Sequence, residues 1–395
     1  MDSRTGLPVV GMVGAGQLAR MTHQAAIALG QSLRLLADSA DDAAAMIAHD
    51  VQLGDYRSLT DLRAFAAGCD VLTFDHEHVP GEHLRALAAD GVVVLPGPQA
   101  LLMAQNKAAM RRRLGELGVP GPAWRDLSVE PDPRAALVDF GHSVGWPLVV
   151  KAITGGYDGK GVWVLDSIAD AEPLLASGTA LLAEARVDID FEIAALVARS
   201  PFGQGAAWPV VETVQQDGIC VEVLAPAPRL AAEQAEAATE LALRIAAELG
   251  VVGVLAVELF VERSGRLLVN ELAMRPHNCG HWTIEGARTS QFEQHLRAVL
   301  DYPLGSTGQH APVVVMANVL GGPDATTPAL DERLHHLMAR WPQAKVHLYG
   351  KGFRPGRKVG HVTVLGDRLA EVRQQARAAA DYLSLGDRAE VDAHE

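Results

Sequence analysis

Apolar runs alternate with helical patterns over the first hundred residues of the chain. The run "LPVVGMV" is followed by a glycine-rich turn and by "QLARMTHQAAIALG", an amphipathic stretch that ends at Gly30. Further apolar runs occur at "SLRLLADS", "CDVLTFDHEHVP" and "GVVVLP". Strands that alternate with helices are typical of a parallel α/β domain. We expect this domain to close near the Pro-Gly-Pro sequence at 96–98.

The pattern of the remaining chain predicts three further segments. A helix at "ALLMAQNKAAMRRRLGELG" leads into a small α+β segment that contains "KAITGGYDGKG". Strands then surround one long helix, "AAEQAEAATELALRIAAELG", which ends at Gly250. The tail combines the strands "PVVVMANVL", "AKVHLYG" and "GHVTVLG" with a final helix. We therefore predict domains at 1–103, 104–197, 198–310 and 311–395.

Composition indicates a globular protein. The 395 residues are 49% apolar and 21% charged. No apolar run approaches the roughly 18 residues that span a bilayer, and "MDSRTGLPVV" lacks signal-peptide features, so we expect a cytoplasmic protein without a membrane partner. Three scattered cysteines support neither a disulfide framework nor a paired-cysteine zinc site. The net charge of -14 argues against nucleic-acid binding, so an anionic ligand needs local positive charge.

The motif "GAGQLA" at 14–19 matches the G-x-G-x-x-G/A fingerprint of dinucleotide sites. It lies between a predicted strand and helix, and Asp38 follows at the end of the next strand. Gly14 and Gly16 would let backbone amides at the helix N-terminus approach an anion closely. A nicotinamide or flavin dinucleotide, another small anionic ligand and a plain tight turn all remain compatible with this motif.

The stretch "KAITGGYDGKG" at 151–161 combines four glycines with two lysines after an apolar strand. It is not a Walker A motif, because Gly161 follows Lys160 and Thr154 stands where the first glycine belongs. A flexible loop between two strands could fold over nucleotide phosphates, with Lys151 supplying a fixed charge. The alternative is an exposed hairpin tip, for which Asp-Gly is a favoured turn.

The stretch "LAVELFVERSGRLLVNELAMRPHN" predicts a hairpin with a two-residue turn at Ser264-Gly265. Pairing Arg263 with Arg266 sets the register of both strands. The expected partners are then Glu262 with Leu267, Phe260 with Val269, and Glu258 with Glu271.

Two carboxylates that face each other across a sheet need a cation between them. Such hard oxygen ligands suit magnesium that bridges nucleotide phosphates. By alternation Asn270 lies on the opposite face, and it becomes a further ligand only if a bulge turns it. The alternative is a different register that leaves Glu258 and Glu271 in solvent.

Just beyond the hairpin, "MRPHNCGHWT" crowds polar side chains together. Arg275, His277 and Asn278 suit a small planar oxyanion, which they would hold by charge-assisted hydrogen bonds. A zinc site from His277, Cys279 and His281 does not fit the usual ligand spacing. The remaining alternative is a polar loop with capping roles.

The tail loop "GKGFRPGRKVGH" concentrates positive charge in an acidic protein. Interleaved Gly and Pro indicate a shaped loop, which favours a phosphate-ester site over a solvated charge run, although both remain open. Its basic residues are Lys351, Arg354, Arg357 and Lys358.

Taken together, the motifs resemble the N5-carboxyaminoimidazole ribonucleotide synthetase family of ATP-grasp enzymes. The resemblance is carried by "GAGQLARM", "TFDHEHVP", "NKAAMRRRLGELGVP", "VVKAITGGYDGKG", the Glu258 strand, "NELAMRPHNCGHWT" and "RPGRKVGH", and it extends to about residue 365. It implies a mixed α/β and α+β fold with an N-terminal parallel α/β (pre-ATP-grasp) domain, a two-lobed ATP-grasp domain and a small C-terminal β-rich domain, usually in a homodimer.

The family's reaction joins ATP, bicarbonate and 5-aminoimidazole ribonucleotide to give the N5-carboxylated ribonucleotide, ADP and phosphate. The resemblance implies that Glu258 and Glu271 bind magnesium, with manganese as an alternative. ATP would be held by Lys107, Lys151, Gly156, Tyr157, Asp158, Gly159, Lys160, Gly161, Glu184, Val187, Glu192, Gln215, Asn270 and Glu271. The catalytic group would be Arg275, His277, Asn278 and Lys351, the first three of which would hold bicarbonate. The ribonucleotide would contact Gln17, Leu18, Glu77, Tyr157, Asp158, Lys351, Arg354, Arg357 and Lys358.

A few positions depart from the family's pattern. Asp75 replaces a usual glutamate, Met274 a common proline and Ala19 a usual glycine, while Gln215 stands where some members have a histidine. These departures bear on fine geometry. Three alternative functions are a formate-using glycinamide ribonucleotide transformylase, an NAD-dependent oxidoreductase and a regulatory ATP-binding module.

Overall fold

A computed structural model describes residues 1–156, 159–322 and 328–386. The first hundred residues form a four-stranded parallel sheet in the order β3-β2-β1-β4, which confirms the predicted class of this domain. Its elements are β1 (Val9–Val13), α1 (Gln17–Leu29), β2 (Ser32–Ala37), β3 (Val51–Leu53), α2 (Leu59–Ala66), β4 (Val71–Phe74) and α3 (Gly81–Ala89).

The prediction of a full strand at "GVVVLP" is wrong. This segment contacts the sheet through a single bridge between Leu72 and Val94. Pro96 has no N–H group with which to extend the pairing. The short strand β3, which the pattern did not indicate, completes the sheet instead.

The helix predicted at "ALLMAQNKAAMRRRLGELG" is two helices. Asn106 is extended (φ -135°, ψ 106°), and its side chain accepts the Ala109 N–H at 2.8 Å as an N-cap. A four-stranded antiparallel sheet in the order β5-β8-β6-β7 follows. The elements of this segment are α4 (Pro98–Gln105), α5 (Lys107–Glu116), β5 (Trp124–Asp126), α6 (Pro133–Val144), β6 (Leu148–Ala152), β7 (Val162–Leu165), α7 (Ile168–Ala176) and β8 (Leu181–Ala185).

The rest of the chain is built on a nine-stranded antiparallel sheet. Its order is β14-β13-β9-β11-β12-β15-β17-β16, and β10 pairs with the C-terminal end of β9. The elements are β9 (Ile189–Arg199), β10 (Gly205–Ala207), β11 (Val211–Gln216), β12 (Ile219–Ala225), α8 (Ala232–Glu248), β13 (Gly253–Glu262), β14 (Leu267–Ala273), α9 (Thr283–Gly286), α10 (Gln291–Val299), β15 (Val313–Leu320), α11 (Leu330–Arg340), β16 (Lys345–Leu348), β17 (Lys358–Gly366) and α12 (Leu369–Leu385).

The three strands of the C-terminal segment therefore continue the sheet of the preceding segment. β15 pairs with β12, and β17 pairs with β15 and β16. The domain boundaries at 103, 197 and 310 stay predictions. No helix within the described ranges is long and apolar enough to cross a membrane.

Candidate active site

The β13–β14 hairpin brings Glu258 opposite Glu271, as the sequence predicted. The predicted turn is wrong: Glu262 N–H donates to the Arg266 carbonyl at 2.9 Å, so the loop has three residues. Gly265, at φ 85°, supplies the left-handed residue that such a loop requires. Near the turn the partners consequently differ by one residue from those expected, and Phe260 pairs with Leu268 and Val261 with Leu267.

A bulge restores the expected register at the two carboxylates. The pairing shifts between Glu258 and Leu259, because Leu259 faces Val269 while Glu258 faces Glu271. Asn270 is therefore the extra residue of β14, and a bulge re-aims side chains. Asn270 Oδ1 accepts a hydrogen bond from Lys151 Nζ at 3.0 Å. Glu271 Oε1 lies 2.5 Å from Lys107 Nζ.

The electrostatics around Glu258 favour a bound cation. Burial, followed by the nearby carboxylates of Glu271 and Glu192, raises the pKa of Glu258 to about 8, and Lys358 and Arg275 offset this only in part. A divalent ion would remove this repulsion, and an all-oxygen donor set suits magnesium. Among the described residues, no group of three or more His, Cys, Asp or Glu side chains could hold a metal, so phosphate oxygens would have to complete its coordination.

Lys151 is held in place by a buried ion-pair network. Its Nζ lies 2.8 Å from Glu184 Oε2, and Arg111 Nε lies 2.6 Å from Glu184 Oε1. Arg111 also donates from Nη1 to the Val269 carbonyl at 2.8 Å. Burial alone would raise the pKa of Glu184, but Lys151 and Arg111 more than offset it and lower that pKa. The Glu184 side chain thus positions Lys151.

The sequence reasoning did not identify Arg111. The sequence does contain a feature that points to Arg111. It follows Lys107 by four residues in α5, so the two side chains share one face of the helix. Its neighbour Arg112 points outward, with a side chain that is 58% exposed.

The glycine-rich loop joins β6 to β7, as predicted, with Lys151 paired to Val162 at its base. Gly159 adopts φ 74°, and a Cβ there would lie 3.4 Å from Cα of Gly218 in the β11–β12 turn. A Cβ on Gly156 would lie 2.6 Å from the Lys160 carbonyl oxygen. The loop therefore packs against the β11–β12 turn at Gly159, and at Gly156 it leaves no room for a side chain. Of the residues predicted here, Tyr157 and Asp158 lie outside the described part of the chain, while Gly156, Gly159, Lys160 and Gly161 are within it.

Two further nucleotide candidates contact each other across β9 and β11. Burial raises the pKa of Glu192, and a hydrogen bond from the Gln215 side chain opposes that rise together with the charge of Lys151. Gln215 thus supplies a polar side chain where some family members have a histidine. Val187 is half-buried between β8 and β9.

The cluster predicted for an oxyanion lies beside the carboxylates. His277 Nε2 is 3.3 Å from Glu258 Oε1. Burial and the charges of Arg275 and Lys358 lower the pKa of His277 to about 3, so its ring is neutral. Arg275 Nη2 is 3.3 Å from Glu77 Oε2. Arg275 Nε has no hydrogen-bond partner among the described atoms, although it is buried.

The third member of the cluster is positioned by a side chain that sequence reasoning missed. Asn278 and Asn318 exchange two amide hydrogen bonds, at 3.0 and 2.8 Å. Asn318 also donates to the Cys220 carbonyl at 2.8 Å. Gln291 fixes the backbone of His277 from the other side, accepting its N–H at 2.9 Å and donating to its carbonyl at 2.7 Å.

Three of the residues predicted for the ribonucleotide, Gln17, Glu77 and Lys351, make contacts beside this cluster. Lys351 Nζ donates to Gln17 Oε1 at 2.7 Å, which joins the tail loop to the start of α1. Glu77 accepts the Met274 N–H at 2.8 Å in addition to its contact with Arg275. The side chain of Leu18 is buried in a small cluster with Met21 and Tyr349.

The basic tail loop curves back on itself. Arg357 N–H donates to the Arg354 carbonyl at 3.0 Å, and Arg357 Nη1 donates to the Gly352 carbonyl at 3.3 Å. Arg354 is exposed, whereas Arg357 and Lys358 are half-buried. Since Lys358 acts electrostatically on both Glu258 and His277, the loop reaches the carboxylate site.

The glycine turn of the dinucleotide fingerprint holds a carboxylate of the protein itself. Asp75 Oδ2 accepts the Gly16 N–H at 2.5 Å. Asp75 also accepts a backbone hydrogen bond from Ala19. The Gly16 N–H, which would face the phosphates of a dinucleotide, is therefore bonded to a carboxylate of the same domain. This argues against the NAD-dependent oxidoreductase.

Three domain families match the chain. The ribonucleotide synthetase preATP-grasp domain matches residues 7–105, the ATP-grasp domain residues 112–292, and the phosphoribosylaminoimidazole carboxylase C-terminal domain residues 314–375.

Relatives match the chain over almost its whole length. The N5-carboxyaminoimidazole ribonucleotide synthase of Mycobacterium tuberculosis (strain H37Rv) is 61% identical over 383 residues, which covers 96% of this chain and 88% of that protein. The enzyme of Corynebacterium ammoniagenes is 49% identical over 391 residues, covering 96% and 92% of the two chains.

Solved structures agree with these relatives. The carboxyaminoimidazole ribonucleotide synthase of Aspergillus clavatus complexed with ATP superposes with a TM-score of 0.87 at 34% identity, covering 95% of this chain and 98% of that one. A complex from the same organism with ADP and 5-aminoimidazole ribonucleotide gives 0.86 at 32% identity, with the same coverage. Motifs, fold and relatives coincide over nearly the whole length, and the chain belongs to the N5-carboxyaminoimidazole ribonucleotide synthase family of ATP-grasp ligases.

Proposed function

We propose that this chain uses ATP to activate bicarbonate and transfers the carboxyl group to the amine of 5-aminoimidazole ribonucleotide, giving the N5-carboxylated product, ADP and phosphate. The observation that carries the proposal is the convergence of three groups in one region: the Glu258–Glu271 pair, the fixed Lys151, and the Arg275–His277 cluster. Binding of a nucleotide alone does not require the third group.

ATP would lie between the glycine-rich loop and the larger sheet. Lys151 and Lys107 would neutralise phosphate charge, and their partners Asn270 and Glu271 keep both ammonium groups directed at the site. Glu258 and Glu271 would hold magnesium together with phosphate oxygens. When bound, the ion supplies charge neutralisation for phosphoryl transfer.

Bicarbonate would lie beside Glu258, held by Arg275 and His277. A neutral His277 donates one hydrogen bond without adding charge, whereas Arg275 carries the full positive charge that an anion needs. An oxygen of bicarbonate attacks the γ-phosphorus and expels ADP, which gives carboxyphosphate. This intermediate breaks down to phosphate and carbon dioxide, and the amine attacks the carbon dioxide and loses a proton to give the N5-carboxylated product. Catalysis here is positioning and charge neutralisation, and closure of the loop keeps water from the labile intermediate.

The ribonucleotide would occupy the adjoining region between α1 and the tail loop. Lys351, Arg354, Arg357 and Lys358 supply the local positive charge that a phosphate ester needs in a chain of net charge -14. A homodimer belongs to the proposal on the strength of the family resemblance, and size-exclusion chromatography with light scattering tests it. The cytoplasmic location expected from the sequence also stays part of the proposal.

An assay of ADP release tests the proposal. With magnesium, ATP and 5-aminoimidazole ribonucleotide, release is expected only when bicarbonate is present. Turnover that does not depend on bicarbonate, or stimulation by formate with glycinamide ribonucleotide, would contradict it and favour the transformylase. ADP release without any acceptor nucleotide would favour the regulatory ATP-binding module.

A further inference from the structure

Asp75 occupies the position in the glycine turn where a bound phosphate would lie. Its carboxylate is buried, with the whole residue 7% exposed. A Cβ on Gly14 would overlap this carboxylate, and a Cβ on Gly16 would lie 2.8 Å from Oδ2. The two glycines of the fingerprint therefore make room for a side chain of the protein, 59 residues away along the chain from Gly16.

The same carboxylate caps the N-terminus of α1. The helix begins at Gln17 after the N-cap Gly16, which has no side chain of its own to cap it. Asp75 supplies the missing acceptor, because its Oδ2 accepts the Gly16 N–H. A negative charge at this end also complements the helix dipole.

The carboxylate of Asp75 also interacts with two cations that belong to other segments. Arg275 and Lys351 both act on its carboxylate. Lys351 also donates to Gln17, the first residue of the helix that Asp75 caps. Asp75 therefore links the start of α1 to the cations of two other segments without facing the ligand itself.

We propose that Asp75 is a positioning residue, which closes the glycine turn to a ligand's phosphate and fixes Gln17 and Lys351 for the ribonucleotide substrate. This inference rests on the proposed function, since it concerns the affinity for that substrate.

Two substitutions test the proposal in the full-length enzyme. Asp75→Asn removes the charge but keeps one acceptor. Gly16→Ala leaves Asp75 unchanged and displaces its carboxylate with a methyl group, at a backbone conformation (φ -78°, ψ -160°) that alanine adopts readily. Each is expected to raise KM for 5-aminoimidazole ribonucleotide about tenfold, the effect of weakening a charged hydrogen bond, and to leave KM for ATP within about twofold.

Gly97→Ala is the matched control. Gly97 is the N-cap of α4 at a similar conformation (φ -68°, ψ 161°), and no atom lies within 4 Å of the added Cβ. It should leave both KM values unchanged. An unchanged KM for the ribonucleotide in both variants, or an equal rise in both KM values, would overturn the inference. If the wild-type protein released no ADP in response to the ribonucleotide, the proposed function itself would fail.

Discussion

Glu258 and Glu271 face each other across two strands whose pairing slips by one residue between them and the turn. The three-residue loop shifts the register in one direction, and the bulge at Asn270 shifts it back. Side chains alternate along a strand, so a single uncompensated shift would have placed one carboxylate on the far face of the sheet. The bulge also directs Asn270 to Lys151, so one irregularity positions the proposed metal ligand Glu271 and the proposed phosphate-binding Lys151 together.

The first prediction concerns Glu271. Glu271→Gln should lower turnover by at least about a hundredfold, because it removes a charged magnesium ligand and the partner of Lys107 at once. Steady-state ADP release measures this, and circular dichroism checks the fold. Glu262→Gln, on the same hairpin but beside the turn, should remain close to wild-type activity. Near-normal turnover of the Glu271 variant would refute its role as a ligand.

The second prediction separates two adjacent arginines. Arg111→Met leaves buried Glu184 with Lys151 alone, and breaking such a pair costs about 3 kcal/mol of unfolding free energy. KM for ATP should also rise, because Lys151 loses its fixed position. Arg112→Met removes an exposed side chain whose Nη2 lies 3.6 Å from Asp126, and it should change stability by less than about 1 kcal/mol. Urea unfolding and steady-state ATP kinetics are measured for both variants. Equal losses of unfolding free energy in the two variants would contradict the prediction.

The third prediction concerns the Asn278–Asn318 pair. Asn318→Ala should raise KM for bicarbonate, because the amide of Asn278 loses both reciprocal hydrogen bonds. Asn278→Ala should do the same. If Asn318 acts only through Asn278, the double variant should be no worse than Asn278→Ala. Additive losses in this cycle would show that Asn318 has a separate role.

Local pattern was enough to predict most of the elements and the carboxylate pair. Strand and helix periodicity depend on neighbouring residues, and the pairing of Glu258 with Glu271 needs only a hairpin between them. The prediction succeeded there although the turn was wrong, because the longer loop and the bulge cancel. Neither the longer loop nor the bulge changes the alternation of apolar and polar residues enough to be predicted from the sequence.

What could not be predicted joins residues that are distant in the chain. Asp75 fills the turn at Gly16, Arg111 reaches Glu184, and Asn318 meets Asn278 forty residues away. In each case the motif residue was recognised and the side chain that positions it was not. Which polar groups come into contact is decided by how separate segments pack in the tertiary structure, and local sequence patterns do not contain that information.

The last prediction is a pH dependence of stability at His295, which ties the N-terminal sheet to the large one. Its Nδ1 accepts the Val254 N–H at 3.1 Å, so the ring proton is on Nε2 and is donated to Thr73 Oγ1 at 2.7 Å. A proton on Nδ1 would point at the Val254 N–H, so two donors would face each other and the hydrogen bond would be lost. Burial accordingly lowers the pKa of His295 to about 4.

In the unfolded chain this histidine titrates near about 6.5, so between that pH and about 4 the unfolded state binds the extra proton. The contribution of His295 to the unfolding free energy is therefore complete at neutral pH. It should fall by about 1.4 kcal/mol per pH unit as the solution is acidified through this window. In denaturant titrations His295→Gln should be less stable than wild type at neutral pH, and the gap should narrow on acidification. His49→Gln, at an exposed histidine, controls for the loss of an imidazole. A gap that stays constant across the window would show that His295 is not held neutral by the fold.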